Sequence, residues 1–139
     1  MAISTNREQQ PATAQYRWFP GHRNQIAHVR SFVAYCLEGC SRVEDAVLLA
    51  SEVATNAIKH GASGKWHVGF LVGILHEPRR TVRISVHDAG GGDTPTLKLA
   101  VPEDEEGGRG LFLVDLIASR WGVTEGLLKQ AVWFELDCF

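Results

Sequence analysis

The spacing of apolar and polar residues changes several times along this chain, and each change marks an element. The stretch AQYRWFP, Ala14 to Pro20, alternates as a first strand does and is closed by Pro20 and Gly21. Beyond it, Ile26, Val29, Val33 and Leu37 recur on one helical face, and Gly39 supplies the stop. A second helix opens at Ser41 and Glu44, which have the S-x-x-E spacing of a capping box, and Gly61 stands where a left-handed cap ends it. Two strand-like runs follow, WHVGFLVGIL and TVRISV, joined by HEPRR, in which His76, Glu77 and Pro78 suit a hairpin turn. After a segment rich in Gly, Pro and acid from Ala89 to Gly108, GLFLVDLIASRWG reads as a third helix, and GVTEG and AVWFELDCF as closing strands. Residues 1–13 lack periodicity and are expected to form a disordered tail, leaving 14–139 as one domain. These elements predict an α/β two-layer sandwich: a mixed, mostly antiparallel sheet with three helices covering one face.

Composition narrows the classes of function. A chain of 139 residues with 45% hydrophobic and 22% charged residues has room for a sizeable core without disulfide or metal staples. A net charge of -2 leaves no basic stripe for phosphate backbones, which argues against direct nucleic-acid or anionic-membrane binding. No apolar run reaches membrane-spanning length and the start MAISTNREQQ is not a signal peptide, so a cytoplasmic protein is expected. The 3 cysteines, Cys36, Cys40 and Cys138, include no CxxC pair and read as reduced, partly buried thiols. Cys36 and Cys40 have helical spacing, but Cys40 follows Gly39 into a loop, and no convergent His or carboxylate set accompanies them as a metal site requires.

The second helix carries the first candidate chemistry. Val43, Ala46, Val47, Ala50, Val53, Ala54, Ala57 and Ile58 fall in one sector, which must face the sheet. Glu52, Asn56 and Lys59 lie on a ridge turned away from it. Such a ridge has two readings. One is an ordinary solvated face with Glu and Lys in helical register. The other is a magnesium-nucleotide site, in which Asn56 supplies Mg²⁺ with an oxygen, Glu52 accepts a proton from the attacking group, and Lys59 reaches phosphate.

Two glycine clusters bear on the choice. VHDAGGGD puts Asp88 at a strand end before Gly90, Gly91 and Gly92. There a carboxylate can accept from an exocyclic amine while bare backbone lets a flat ring approach; a mobile turn has the same composition. EGGRGLFLV places Gly107, Gly108 and Gly110 at a helix start, where free N–H groups suit an anion, although a flexible hinge would look the same. The segment between the clusters, with Pro95, Pro102 and the run Glu103 to Glu106, is long for a plain connection and suits a lid with a solvated acidic surface.

In order and spacing, E-x-x-x-N-A, D-x-G-x-G and G-x-G-L resemble the N, G1 and G2 boxes of the GHKL (Bergerat-fold) ATP-binding superfamily, over about Phe19 to Leu136. In length and wording the chain is most similar to its bacterial anti-sigma-factor serine/threonine kinases. The resemblance implies a histidine-kinase-like ATPase fold with ATP and Mg²⁺ as cofactors. It implies Asn56 as the Mg²⁺ ligand, Glu52 as general base, and Asp88 as reader of the adenine amino group. It also implies Gly90 and Gly92 beside adenine, and Gly108, Gly110 and Leu111 in the phosphate loop. Arg109, next to that loop, is either a phosphate contact or a surface arginine.

The implied activity is phosphorylation of a Ser or Thr on a small antagonist protein that controls a sigma factor. A homodimer is the borrowed expectation for the assembly. The alternative is an ATP-binding adaptor that sequesters a partner without phosphotransfer. One departure favours it: Lys129, Gln130 and Ala131 stand where the family often has a Gly-Lys-Thr-like stretch, and losing one such hydrogen bond costs on the order of 1 kcal/mol. A detached histidine-kinase catalytic domain fits less well. Glu52 stands where that branch usually has Asn, and His76-Glu77 runs into Pro78 rather than forming a phospho-acceptor helix. His60 and His87, beside motif residues, read as packing or surface histidines.

Overall fold

A computed structural model of the chain describes residues 10–60, 68–88 and 106–138; for residues 60 and 106–110 it describes the backbone alone. Strands β1 (Thr13–Phe19), β2 (Phe70–Glu77), β3 (Thr81–Asp88), β4 (Arg120–Thr124) and β5 (Gln130–Asp137) form one sheet in the order β1-β2-β3-β5-β4. Every neighbouring pair among these described strands is antiparallel. The helices are α1 (Ile26–Cys36), preceded by a single 3-10 turn at Arg23–Gln25, then α2 (Val43–His60) and α3 (Glu106–Ile117).

Strand alternation decides which face is covered. Val72 pairs with Val86 and Ile74 with Ile84 across β2 and β3; Val82, Ile84 and Val86 pair with Leu136, Phe134 and Val132 of β5. These side chains share one face and are buried with Val29, Val33 and Leu37 of the α1 region, the apolar arc of α2, and Leu111 and Val114 of α3. The opposite face carries Tyr16 and Trp18 half exposed, His87 and Ser85, and Arg83 stacked over Trp133 at 4.1 Å.

α2 packs against α1, α3 and β3, which widens its buried arc beyond the expected stripe. Ala46, Ala50, Val53, Ala54, Ala57 and Ile58 are buried as predicted, and Leu49, outside that stripe, is also fully buried. The capping box is not what starts this helix. Ser41 is exposed in the turn, α2 begins at Val43, and the Arg42 carbonyl accepts from the Ala46 N–H at 2.9 Å. The Arg42 guanidinium bonds Asp45 at 3.0 Å instead, with Glu44 and Asp45 placing negative charge in the first turn.

Two other boundaries move. The third helix stops at Ile117 rather than running through Trp121 and Gly122. Ala118 N–H still bonds the Val114 carbonyl at 2.9 Å, but Ser119 N–H turns to the Glu135 carbonyl at 2.8 Å and the ladder of β4 takes over. Trp121 then sits opposite Phe134 and donates its indole N–H to Asp115 at 2.9 Å, so it contacts α3 from a strand instead of extending it. The hairpin turn also shifts: His76 and Glu77 are in β2, and the turn is closed by the Arg80 N–H on the Glu77 carbonyl at 2.9 Å. Pro78 takes the second position and Arg79, at φ 67°, the left-handed third one. Trp66, His67, Gly61, residues 1–9 of the expected tail and 89–105 of the expected lid lie outside the described residues.

Candidate nucleotide site

Glu52 and Asn56 are one turn apart in the second half of α2, and both are half-buried, as is Lys59. The ridge is therefore not a fully solvated face. Leu49 and Asn56 are seven residues apart, which at about 100° per residue leaves them about 20° apart on the helix. Since Leu49 is fully buried, Asn56 stands at the border of the buried arc and not opposite it. Two hydroxyls nearby are spent on the helix itself: Ser51 Oγ bonds the Leu48 carbonyl at 2.8 Å and Thr55 Oγ1 the Ser51 carbonyl at 2.6 Å. The carboxylate of Glu52, the amide of Asn56 and the ammonium of Lys59 are thus half-buried polar groups along one ridge.

Asp88 ends β3, the strand on which α2 packs, and is only 4% exposed. Alternation along β3 places it on the helix-covered side with Val82, Ile84 and Val86. An ionised carboxylate accepts hydrogen bonds and donates none, so a ligand group that meets it must carry an N–H or O–H. Its backbone is fixed from the other side, because the Asp88 carbonyl accepts the Lys129 N–H at 3.1 Å and Asp88 pairs with Gln130 in the β3–β5 ladder.

His87, the neighbour of Asp88, anchors the same corner. Its Nδ1 accepts the Leu127 N–H at 3.0 Å, so the proton of the neutral ring is on Nε2, which meets Ser85 Oγ at 2.9 Å. Burial pushes the imidazole below its ordinary pKa, against a smaller opposing pull from the Asp88 charge. His87 is thus the packing histidine expected, and its ring pins the β4–β5 connection that delivers Lys129 and Gln130 to Asp88. Gly126 makes room for the ring, since a Cβ there would stand 2.7 Å from His87 Nδ1.

The second glycine cluster lies within the first turns of α3, which begins at Glu106, four residues before the expected start at Gly110. The unpaired N–H groups of a helix belong to its cap and first three residues, which puts those of Gly107 and Gly108 at the N-terminal end. The side chain of Arg109 is not among those described, and Gly90 and Gly92 lie outside the described residues. Leu111 is 3% exposed and joins the core, seating α3 against α2.

Gln130, part of the departure noted in the sequence, pairs with Asp88, a placement that the sequence reading did not draw. Its position opposite Asp88 follows from aligning TVRISVHD antiparallel to QAVWFELD, both 8 residues long, so that the apolar positions coincide. Among the described residues, no group of three or more His, Cys, Asp and Glu side chains could hold a metal by itself.

Comparison with known proteins bears on the family and the fold. A family model for the histidine kinase-like ATPase domain matches residues 19–134. Curated proteins give no match. Among solved structures, the chain is similar to the RsbU and RsbW domains of Rv1364c from Mycobacterium tuberculosis, with a TM-score of 0.66 and 18% identity. The match covers 92% of this chain and 32% of that one, so the chain spans a minor part of its neighbour's length and the likeness is one of fold. From the sheet order, the three helices on one face and a match over residues 19–134, the chain belongs to the histidine kinase-like ATPase family.

Proposed function

We propose that this domain binds Mg-ATP and transfers the γ-phosphoryl group to a Ser or Thr of a small antagonist protein, as an anti-sigma-factor-type kinase of the cytoplasm. The observation that carries the reading is the pair Glu52 and Asn56, one turn apart and half-buried at the border of the buried arc of α2. The donor chemistry fits the nucleotide. Asn56 offers one neutral hard oxygen, so a Mg²⁺ there takes its remaining ligands from phosphates and water. Bound in this way, the metal would neutralise charge on the transferring phosphoryl group. Asp88 accepts from the adenine amino group, and the start of α3 faces its N–H groups toward phosphate. Lys59 adds positive charge one turn beyond Asn56. Leu111 holds the start of α3 in place through the core, and Gly90 and Gly92 complete the adenine side in this reading.

Glu52 is then the base that takes the hydroxyl proton of the antagonist. Its place one turn from Asn56 lets it act on the nucleophile without holding the nucleotide. A second reading, an ATP-dependent adaptor, draws on the corner beside Asp88: Gln130 and Ala131 present no hydroxyl there, which weakens one contact to the base. Incubation with γ-labelled ATP and small candidate partners separates the two. Label appearing on a partner Ser or Thr supports the kinase. Tight ATP binding and partner capture without transfer supports the adaptor.

A further inference from the structure

Away from the nucleotide site, two cysteines that lie 98 residues apart in sequence bring their sulfurs to 3.7 Å. Cys40 is half-buried in the turn that leads into α2; Cys138 is buried just past the end of β5. The segment that carries Cys138 is held by two hydrogen bonds, one of them from a side chain two residues past Cys40. The Arg42 guanidinium donates to the Asp137 carbonyl at 2.9 Å, and the Cys138 N–H bonds the Arg80 carbonyl at 2.8 Å. A disulfide asks these sulfurs to close from 3.7 Å to roughly 2.05 Å.

We propose that Cys40 and Cys138 are an oxidisable pair, which hydrogen peroxide converts to a disulfide that clamps the start of α2 to the end of the sheet. Cys40 is the first to react, because it is the more accessible of the two. Its sulfur also accepts the Arg42 backbone N–H at 3.4 Å, a donor that meets negative charge on the attacking thiolate. Burial and the hydrogen bond with Cys40 push the Cys138 thiol up to about 11, which suits it to the second step rather than the first. In the first step the Cys40 thiolate attacks peroxide. The S–O bond forms, the O–O bond breaks, and hydroxide leaves as water after protonation. In the second step Cys138 attacks the sulfenic sulfur of Cys40. The S–S bond forms, the S–O bond breaks, and a second water leaves. Two thiols and one peroxide give one disulfide and two waters, with two electrons passing from sulfur to oxygen.

Cys36 is the internal control. Its Sγ donates to Gln15 Oε1 at 3.2 Å, on the β1 side, and burial raises its pKa. Trypsin leaves Cys36 and Cys40 in one peptide, SFVAYCLEGCSR, and Cys138 in QAVWFELDCF, so the experiment uses the full chain carrying Cys36→Ser. Titration with hydrogen peroxide should remove both remaining thiols, and mass mapping should find these two peptides joined with the loss of two hydrogens. Dithiothreitol should reverse it. Because the link closes a loop of 98 residues, the oxidised form should melt roughly 10 °C higher than the reduced one. Cys40→Ser, at the half-buried position, should abolish both the cross-link and the shift while leaving the reduced fold intact. In the natural chain, a Cys36–Cys40 link formed in preference overturns the proposal. So does a Cys40 sulfinic acid without cross-link, or two thiols that survive peroxide unchanged.

Discussion

Replacing Asp88 by Asn keeps the shape of the side chain and removes its charge, which makes it a direct probe of base recognition. Asp88 is 4% exposed, so a hydrogen bond to its carboxylate forms out of bulk water. Bonds to charged groups in such settings contribute about 1.5–3 kcal/mol, which corresponds to about 10- to 150-fold in affinity. Asp88→Asn should weaken Mg-ATP binding by that factor. Discrimination should change as well. Guanine presents a carbonyl oxygen where adenine has its amino group, and the Asp88 carboxylate repels it, whereas an amide can turn its NH₂ toward it. The ATP-to-GTP preference should therefore collapse in the variant, with GTP affinity unchanged or improved. Titration calorimetry with both nucleotides measures this, with far-UV circular dichroism confirming that the β3–β5 corner still folds. An ATP affinity within about twofold of the natural protein, with the same preference over GTP, would refute the assignment of Asp88.

Asn56→Ala should weaken Mg-dependent ATP binding at least about tenfold, since even outer-shell changes at metal sites cost about 10–100-fold, while the melt of the unliganded protein stays nearly unchanged; calorimetry with and without Mg²⁺ checks it. His87 predicts a pH dependence. Burial holds its folded pKa below the ordinary 6.5, against a smaller opposing pull from the Asp88 charge, so its contribution to stability is complete above about 6.5 and is lost as pH falls through the depressed value. Melting curves from pH 8 down to 5 should show this slope in the natural protein and a flatter one in His87→Gln. Arg79, at φ 67°, occupies a conformation that favours glycine. Arg79→Gly should stabilise the hairpin by roughly 0.5–1 kcal/mol in urea unfolding, and a loss of stability would contradict the turn geometry.

What the sequence makes legible here depends on how local the physics is. The alternation of Val82, Ile84 and Val86 and the helical spacing of Val29, Val33 and Leu37 are set by burial of one face, and both survive in the fold. Glu52, Asn56 and Asp88 are recognisable by spacing and residue type, but not their burial. That depends on α3 and α1 flanking α2, which also explains why Leu49 escaped the expected stripe. The stop of α3 was illegible because Trp121 faces the core whether it belongs to a helix or to a strand. Ser41 and Glu44 matched a capping box, yet Arg42 contacts both Asp45 and the Asp137 carbonyl, a tie to β5 that no local pattern encodes. Gln130 beside Asp88, and Cys40 beside Cys138, are likewise consequences of strand register and chain return.

Single-turnover phosphotransfer by Glu52→Gln, from labelled Mg-ATP to a cognate antagonist, tests the kinase reading most directly. The substitution keeps size and hydrogen-bonding shape and removes the basic carboxylate, a change that costs about 10²- to 10⁴-fold where a general base acts. The expected result is ATP affinity equal to that of the natural protein, with transfer slowed at least about a hundredfold. Transfer at the natural rate would contradict Glu52 as the base, and a natural protein that binds ATP tightly yet phosphorylates no partner would contradict the kinase itself.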